Sequence, residues 1–516
     1  MFCQKIVRHA MTYLTYKSAC VIVSIVASLS LSVPVSAQLP VGERNDVQTG
    51  ETPTQHVFGH GASNALIHYF WSQSAGWSVE SLTQIVKNGD AFRIATKPES
   101  IYLQSGDTPT QHVFGLNAYG YLIHYYWSPA LNWGAENLTQ RSNIGTAYLL
   151  ATNPKVVNLK MGDTPAQHVF GRNTSGDVIH YYWSPVPGWA SENLTQLNNI
   201  GTALRITSIP VVIDIPDATT PSLHVFGHNG AGDLIHYYWS AASGWAAENL
   251  TQRNNIGVAF RMTSNLTVIH VQNGGTLIQH VFGLNATGEL IDYSWSQSFG
   301  WAAENLTQRN NIGAAYRIVT DPVATTTQIA ATPALDVFGR NPAGGVIHYF
   351  WSPSAGWAAE NLTARSNIGG QFGLLTNPVA IALQSGDTPT EHVFGGNAAG
   401  DLIHYYWSAA PSWAAENLTL YGSIGAAFRM TADPVALNLQ NGTITTQHVF
   451  GRNSAGDLVH YYWSAAPGWA AENLTQQPKF GNGYRVDNLT VLNMDSAYTA
   501  THPTYVVYLP YGVSRH

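Results

Sequence analysis

The sequence predicts an all-β fold: an eight-bladed β-propeller of four-stranded antiparallel blades, with the ring closed by C-terminal strands. Three observations predict it. All sixteen tryptophans of the 516-residue chain fall on two positions of a unit that recurs eight times at a fixed spacing of 56 residues. The composition is 45% hydrophobic and only 10% charged, with 47 glycines, which suits short strands joined by tight turns. Each unit divides into four strand-like pieces, and a four-stranded sheet with two apolar faces is stable only when other sheets cover both.

Residues 1–37 stand apart from the repeats. Lys5, Arg8 and Lys17 precede an apolar run at 19–33 and the small-residue pattern Val35-Ser36-Ala37, which reads as a cleaved secretory signal peptide and a secreted product. Ser and Pro interrupt the run and it is short for a span, so no membrane span is expected in the mature chain. Cleavage takes the formal charge from −7 to −10, because three basic and no acidic residues leave with the segment. Cys3 and Cys20 leave too, which excludes disulfides and thiolate metal sites. A nucleic-acid partner is disfavoured, since no basic surface is available to neutralise phosphates.

After a lead-in at 38–54, the repeats occupy 55–480. In the last copy the strand-like pieces fall at 435–440, 447–452, 457–464 and 471–476. A hairpin turn at 453–457 carries Gly456, with equivalents at Gly120, Gly176, Gly232, Gly288, Gly344 and Gly400. The third piece alternates Leu458, His460, Tyr462 with Val459, Tyr461, Trp463, as befits a strand sandwiched between neighbouring sheets. The surplus near 310–318 is a longer connection between blades. A partial repeat at 481–516 supplies strands at 489–494 and 505–509, whereas the first copy has only a weak leading strand at 40–47. A C-terminal strand completing the first blade would join the two ends of the ring.

The segments VFGRN, GDLIHYYW and GWAAENLT resemble the repeat of tectonin-like and Photorhabdus-type bacterial β-propeller lectins, over residues 55–476. The resemblance implies a propeller that binds sugars at shallow pockets between blades. The chain departs from that pattern in His-Tyr-Tyr-Trp, in its longer period and in eight copies rather than seven, so sugar preference and pocket location do not carry over.

The carbohydrate-binding candidates are the second tryptophan series and the charged residues near it. They are Trp77, Trp133, Trp189, Trp245, Trp301, Trp357, Trp413 and Trp469, with Glu80, Glu136, Glu192, Glu248, Glu304, Glu360, Glu416 and Glu472 three residues on, and Arg205, Arg261, Arg317 and Arg429, whose pattern continues at Arg93 and Arg485. An indole face stacks on the C–H face of a pyranose, and charged groups bond its hydroxyls directionally. The first series, Trp71 and its equivalents, is expected in the core between blades. The second follows a Ser/Ala/Pro/Gly loop and is expected nearer the surface, divided between ligand platform and packing. For the glutamates, bonding within the blade competes with ligand contact.

Histidines repeat at His56, His112, His168, His224, His280, His392 and His448, and again at His68, His124, His180, His236, His348, His404 and His460. Asp336 and Asp292 stand in for the missing members. Structural hydrogen bonding is the first expectation and metal ligation the last, so no metal or cofactor is predicted. The Asn-Leu-Thr triplets read as incidental glycosylation signals inside a strand. An enzyme is not expected, because every candidate group recurs and no unique acid pair, nucleophile set or phosphate loop stands out.

The expected partners are glycans on cell surfaces or glycoconjugates, with weak repeated sites gaining avidity together. Copies five and six are expected to be impaired by Asp292, Ser294 and Asp336. The competing class is a structural or protein-binding propeller, and burial of the Trp77 series would take the indole platform away from the lectin reading.

Overall fold

The computed structural model describes residues 54–494, apart from 73–74, 106–107, 162–163, 186–187, 216–221, 274–275, 330–331, 386–387, 409–411, 423, 442–443, 467, 479 and 481. The leader at 1–37, the lead-in up to residue 53 and the strand expected at 505–509 lie outside the described residues. No helix among the described residues is long and apolar enough to cross a membrane.

Eight antiparallel sheets of four strands each account for the repeats. Blade five shows the pattern: Thr267–Asn273, Thr276–Leu284, Leu290–Ser296 and Gly300–Asn305, paired in chain order. Blade one is composite. Thr54–His60, Leu66–Ser72 and Gly76–Ser81 receive their missing inner strand from Asp487–Met494, which pairs antiparallel with Thr54–His60 through a bulge between Phe58 and His60. The ring is therefore closed by strand addition from the far end of the chain, as the sequence predicts.

The first strands of the blades are Asp487–Met494, Glu99–Ser105, Lys155–Met161, Val211–Ile215, Thr267–Asn273, Val323–Ile329, Val379–Ser385 and Val435–Asn441. Each touches the next around the whole cycle, so they surround the axis. Because strands run sequentially outward, the turns between second and third strands and the connections from fourth to first all lie on one face of the disc.

Cross-strand register explains the two apolar faces. In blade four, Tyr237 opposes Val225 and Ala247, and Trp239 opposes Leu223 and Trp245, so one face is built from Tyr and Trp. His236 opposes Phe226 and Glu248 on the other. The indole of Trp245 meets the Phe170 and His180 rings of blade three edge-on, at centroid distances of 5.8 and 5.3 Å. Trp301 makes the same contacts with Phe226 and His236. Trp77 of blade one does so with Phe450 and His460 of blade eight, so the closing interface repeats the internal ones. Each blade offers unlike faces to its two neighbours, a head-to-tail interface that ends only by closing.

The fourth strand is displaced from its expected bounds. It runs from Gly468 to Asn473 in blade eight rather than over 471–476. In most blades a 3₁₀ turn follows, as at Leu306–Gln308, where the Asn305 side chain accepts from the Gln308 N–H at 3.2 Å and caps the turn. The expected long connection is present and carries a second 3₁₀ turn, Ala314–Tyr316 in blade five. It packs on the hairpin of its own blade: at Gly288, φ is +77° and a Cβ would lie 2.7 Å from the Ile318 carbonyl oxygen, so glycine is required there.

Candidate functional site: clefts between blades

The structure places the second tryptophan series inside the protein. Trp77, Trp133, Trp189, Trp245, Trp301, Trp357, Trp413 and Trp469 are 3–8% exposed. These indoles are interblade packing and offer no open platform, which corrects the expectation that they lie near the surface. The cause is the pleat, which turns the second residue of the fourth strand towards the preceding blade. Most of the first series, expected in the core, is instead half-buried, and only Trp127 among them is fully buried.

The glutamates join the histidines. His56 Nδ1 donates to His68 Nε2 at 2.9 Å, and His68 Nδ1 donates to Glu80 at 3.0 Å. The same order recurs for His112, His124 and Glu136, for His168, His180 and Glu192, and for His448, His460 and Glu472. In neutral rings this order has each Nδ1 donating and each Nε2 accepting. Burial holds His56, His112 and His448 well below the usual imidazole range and brings His404 down to about 3. Structural bonding of the histidines, the first expectation, is what the geometry shows here.

The arginines pair with carboxylates that the sequence reading did not single out. Arg205 binds Asp177, Arg261 binds Asp233, Arg317 binds Glu289 and Arg429 binds Asp401, at 2.5–2.7 Å. Each acid directly follows the turn glycine of its blade. Glu289 also accepts from Asn285, Asn305 and Gln308 at 2.8–3.0 Å. Burial raises its pKa, but Arg317 and the three amides outweigh that and pull it down to about 2.

Between the connection leaving blade four and the outer strands of blade five lies a cleft of about 300 Å³. It is lined by Phe260, Asn285, Glu289, Glu304, Asn305 and Gln308, with Ala259 and Ala303. That volume is at the lower end of the roughly 300–1,000 Å³ found for small-molecule sites. Phe260 belongs to a half-buried series, Phe92, Tyr148, Leu204, Phe260, Tyr316, Phe372, Phe428 and Tyr484, which was missed in the sequence. Its signal is legible in retrospect: an apolar ring, or once Leu204, stands directly before the arginine position of every copy.

Asp292, the substitution expected to impair copy five, changes what surrounds this cleft. Asp292 takes the place of the second histidine and accepts from His280 Nδ1 at 3.1 Å. Glu304, which opposes Asp292 in register, therefore has no imidazole to hold it. It keeps the pairing with Arg309 that Glu136, Glu248 and Glu360 make with Arg141, Arg253 and Arg365, and its side chain is 45% exposed against 24–30% for Glu136, Glu192, Glu248, Glu360 and Glu472. A carboxylate in this position can accept bonds from hydroxyls, while the Asn and Gln amides can donate and accept.

The described residues thus form an eight-bladed propeller with this cleft at blade five; the Phe260 position recurs in every blade, and an acid at the Glu289 position recurs as Asp177, Asp233, Asp401 and Asp457. Residues 54–82, 166–194 and 446–474 match a repeat of unknown function, DUF346. No curated protein matches the chain. Among solved structures, the chain is similar to a fucose-specific lectin from Aleuria aurantia, at 16% identity over 62% of this chain and 94% of that one, with a TM-score of 0.35. It is also similar to AofleA from Arthrobotrys oligospora, at 11% identity over 64% and 86% with a TM-score of 0.36. A third is a fucose lectin from Kordia zhangzhouensis in complex with methyl-fucoside, at 17% identity over 29% and 96% with a TM-score of 0.24.

Proposed function

We propose that this protein is an exported, multivalent glycan-binding protein whose sites are the clefts between blades. The observation that carries the reading is the cleft at blade five, where the Phe260 ring, the exposed Glu304 carboxylate and the Asn285, Asn305 and Gln308 amides converge on a space fit for one sugar ring. An aromatic wall beside acceptor and donor groups suits a pyranose, which has both an apolar face and a rim of hydroxyls. This reading keeps the glutamates and arginines of the sequence analysis as ligand or supporting groups and replaces the indoles by the Phe260 series. It also keeps the expected lectin family as a resemblance of repeat pattern.

Recurrence of the cleft elements on one face supports multivalency. A shallow site with a millimolar Kd is worth about 4 kcal/mol. Several such sites meeting a surface dense in one sugar raise avidity by roughly 10² to 10⁴. The testing experiment is a glycan array probed with the mature chain, followed by titration with the free monosaccharide of the best hit. The expected result is tight binding to the dense array, weak binding of the free sugar, and loss of one free-sugar equivalent in Glu304→Ala. An array without signal, with a protein captured from the same surface, would establish the protein-binding class instead.

A further inference from the structure

Blade six breaks the histidine chain on both sides of one interface. In blades one, two, seven and eight the chain begins with an amide of the following blade: Gln111 to His56, Gln167 to His112, Gln447 to His392 and Gln55 to His448, at 3.0–3.4 Å. In blade six, Asp336 stands in place of the first imidazole, and Glu391 of blade seven stands in place of the amide. The donor and the first acceptor have both become carboxyl groups. They hydrogen-bond each other, and Asp336 lies 2.8 Å from His348 Nε2.

We propose that Asp336, Glu391 and Nε2 of His348 bind one divalent transition-metal ion, of which Zn²⁺ is the probe, in a buried site between blades six and seven. Ligand atoms of the three side chains all lie within 4.8 Å of one another, and all three residues are buried. Bonds of about 2.0–2.2 Å in tetrahedral geometry separate ligand atoms by roughly 3.3 Å, so side-chain adjustment alone completes the set. His348 Nδ1 is bound to Glu360 at 3.1 Å, which fixes the ring and turns the Nε2 lone pair to the ion, as outer carboxylates do for metal-bound imidazoles. The Thr325 hydroxyl donates to Glu391 at 3.1 Å and orients the second carboxylate. One imidazole nitrogen and two carboxylate oxygens suit a borderline divalent ion.

Charge gives the reason for the pair of replacements. Two carboxylates buried side by side are costly unless compensated, and a doubly charged cation compensates both. Without the ion, protons take its place. Burial and the neighbouring Asp336 hold the Glu391 carboxyl well above the usual range. Burial alone would lower His348, but its bonds to Asp336 and Glu360 outweigh that and raise it, the reverse of the shift in most other histidines of the two series. Metal binding needs the three ligand atoms free of protons, so the affinity falls with acid.

The test produces the full chain in zinc-supplemented medium, because a buried site loads as the chain folds. Metal is then counted after desalting against a chelator. The comparison is the double variant Asp336→His with Glu391→Gln, which rebuilds the order present in four other blades and so folds. The expected result is about one retained equivalent per native chain at pH 7, lost by about pH 5, and none in the double variant. A native chain that retains no zinc, or a double variant that retains as much as the native one, overturns the proposal and leaves the proton-bridged pair.

Discussion

Trp245 and Phe260 exchange the roles that their positions in the sequence suggest. Trp245 follows a small-residue loop, yet its indole lies between the rings of Phe170 and His180 and the body of its own blade. Its Nε1 donates to Glu192 of blade three at 3.0 Å. Were this indole a ligand platform, Trp245→Ala would weaken glycan binding and spare the fold. The structure reverses this: removing a buried indole should lower the unfolding free energy by about 3–5 kcal/mol, measured by urea denaturation. A change below about 1 kcal/mol would return that side chain to the ligand site.

At the scale of an element, the Asn-Leu-Thr triplets prove to be joints. Asn249 Nδ2 is committed to Asp233 at 3.0 Å, while its side-chain oxygen caps the following turn through the Gln252 N–H at 3.1 Å. Thr251 accepts from the Leu234 N–H at 2.9 Å and donates to the Tyr293 hydroxyl of blade five, which donates in turn to the Phe260 carbonyl. One threonine thus ties the end of a strand, the next blade and the wall of the cleft. Thr251→Val keeps the shape and removes the hydroxyl, leaving a buried N–H without its acceptor. We expect a loss of about 1–3 kcal/mol in a denaturant titration. The effect should shrink in a Tyr293→Phe background, since the two residues share a network.

For the whole molecule, the buried imidazoles make stability depend on pH. Burial lowers the pKa of eleven histidines of the two series. Their unfolded value is about 6.5. Below that pH the unfolded chain takes up protons that the native ring refuses, so this stabilisation is present above about 6.5 and is lost as pH falls towards the folded values, about 3 for His404. His348 has the opposite sign, because its raised pKa contributes at low pH, but one group is set against eleven. Tm should therefore fall continuously from about pH 6.5 downwards, with several protons taken up per chain on unfolding. A flat Tm between pH 7 and pH 5 would contradict neutral burial.

Repeat spacing and residue pattern are enough to specify the architecture. Sixteen tryptophans at one period set the number of blades, the alternation along each third strand requires two covered faces, and residues 489–494 have only the first blade to complete. These are consequences of local pattern and chain length, which need no neighbour to be read. Which side chains meet across a blade interface follows from packing, since residues 53 or 55 apart become contacts only once one twisted sheet is laid on the next. That is why the indoles are packing and Phe260 lines the cleft, and why Asp336 and Glu391, each a single odd letter in its own repeat, form one cluster.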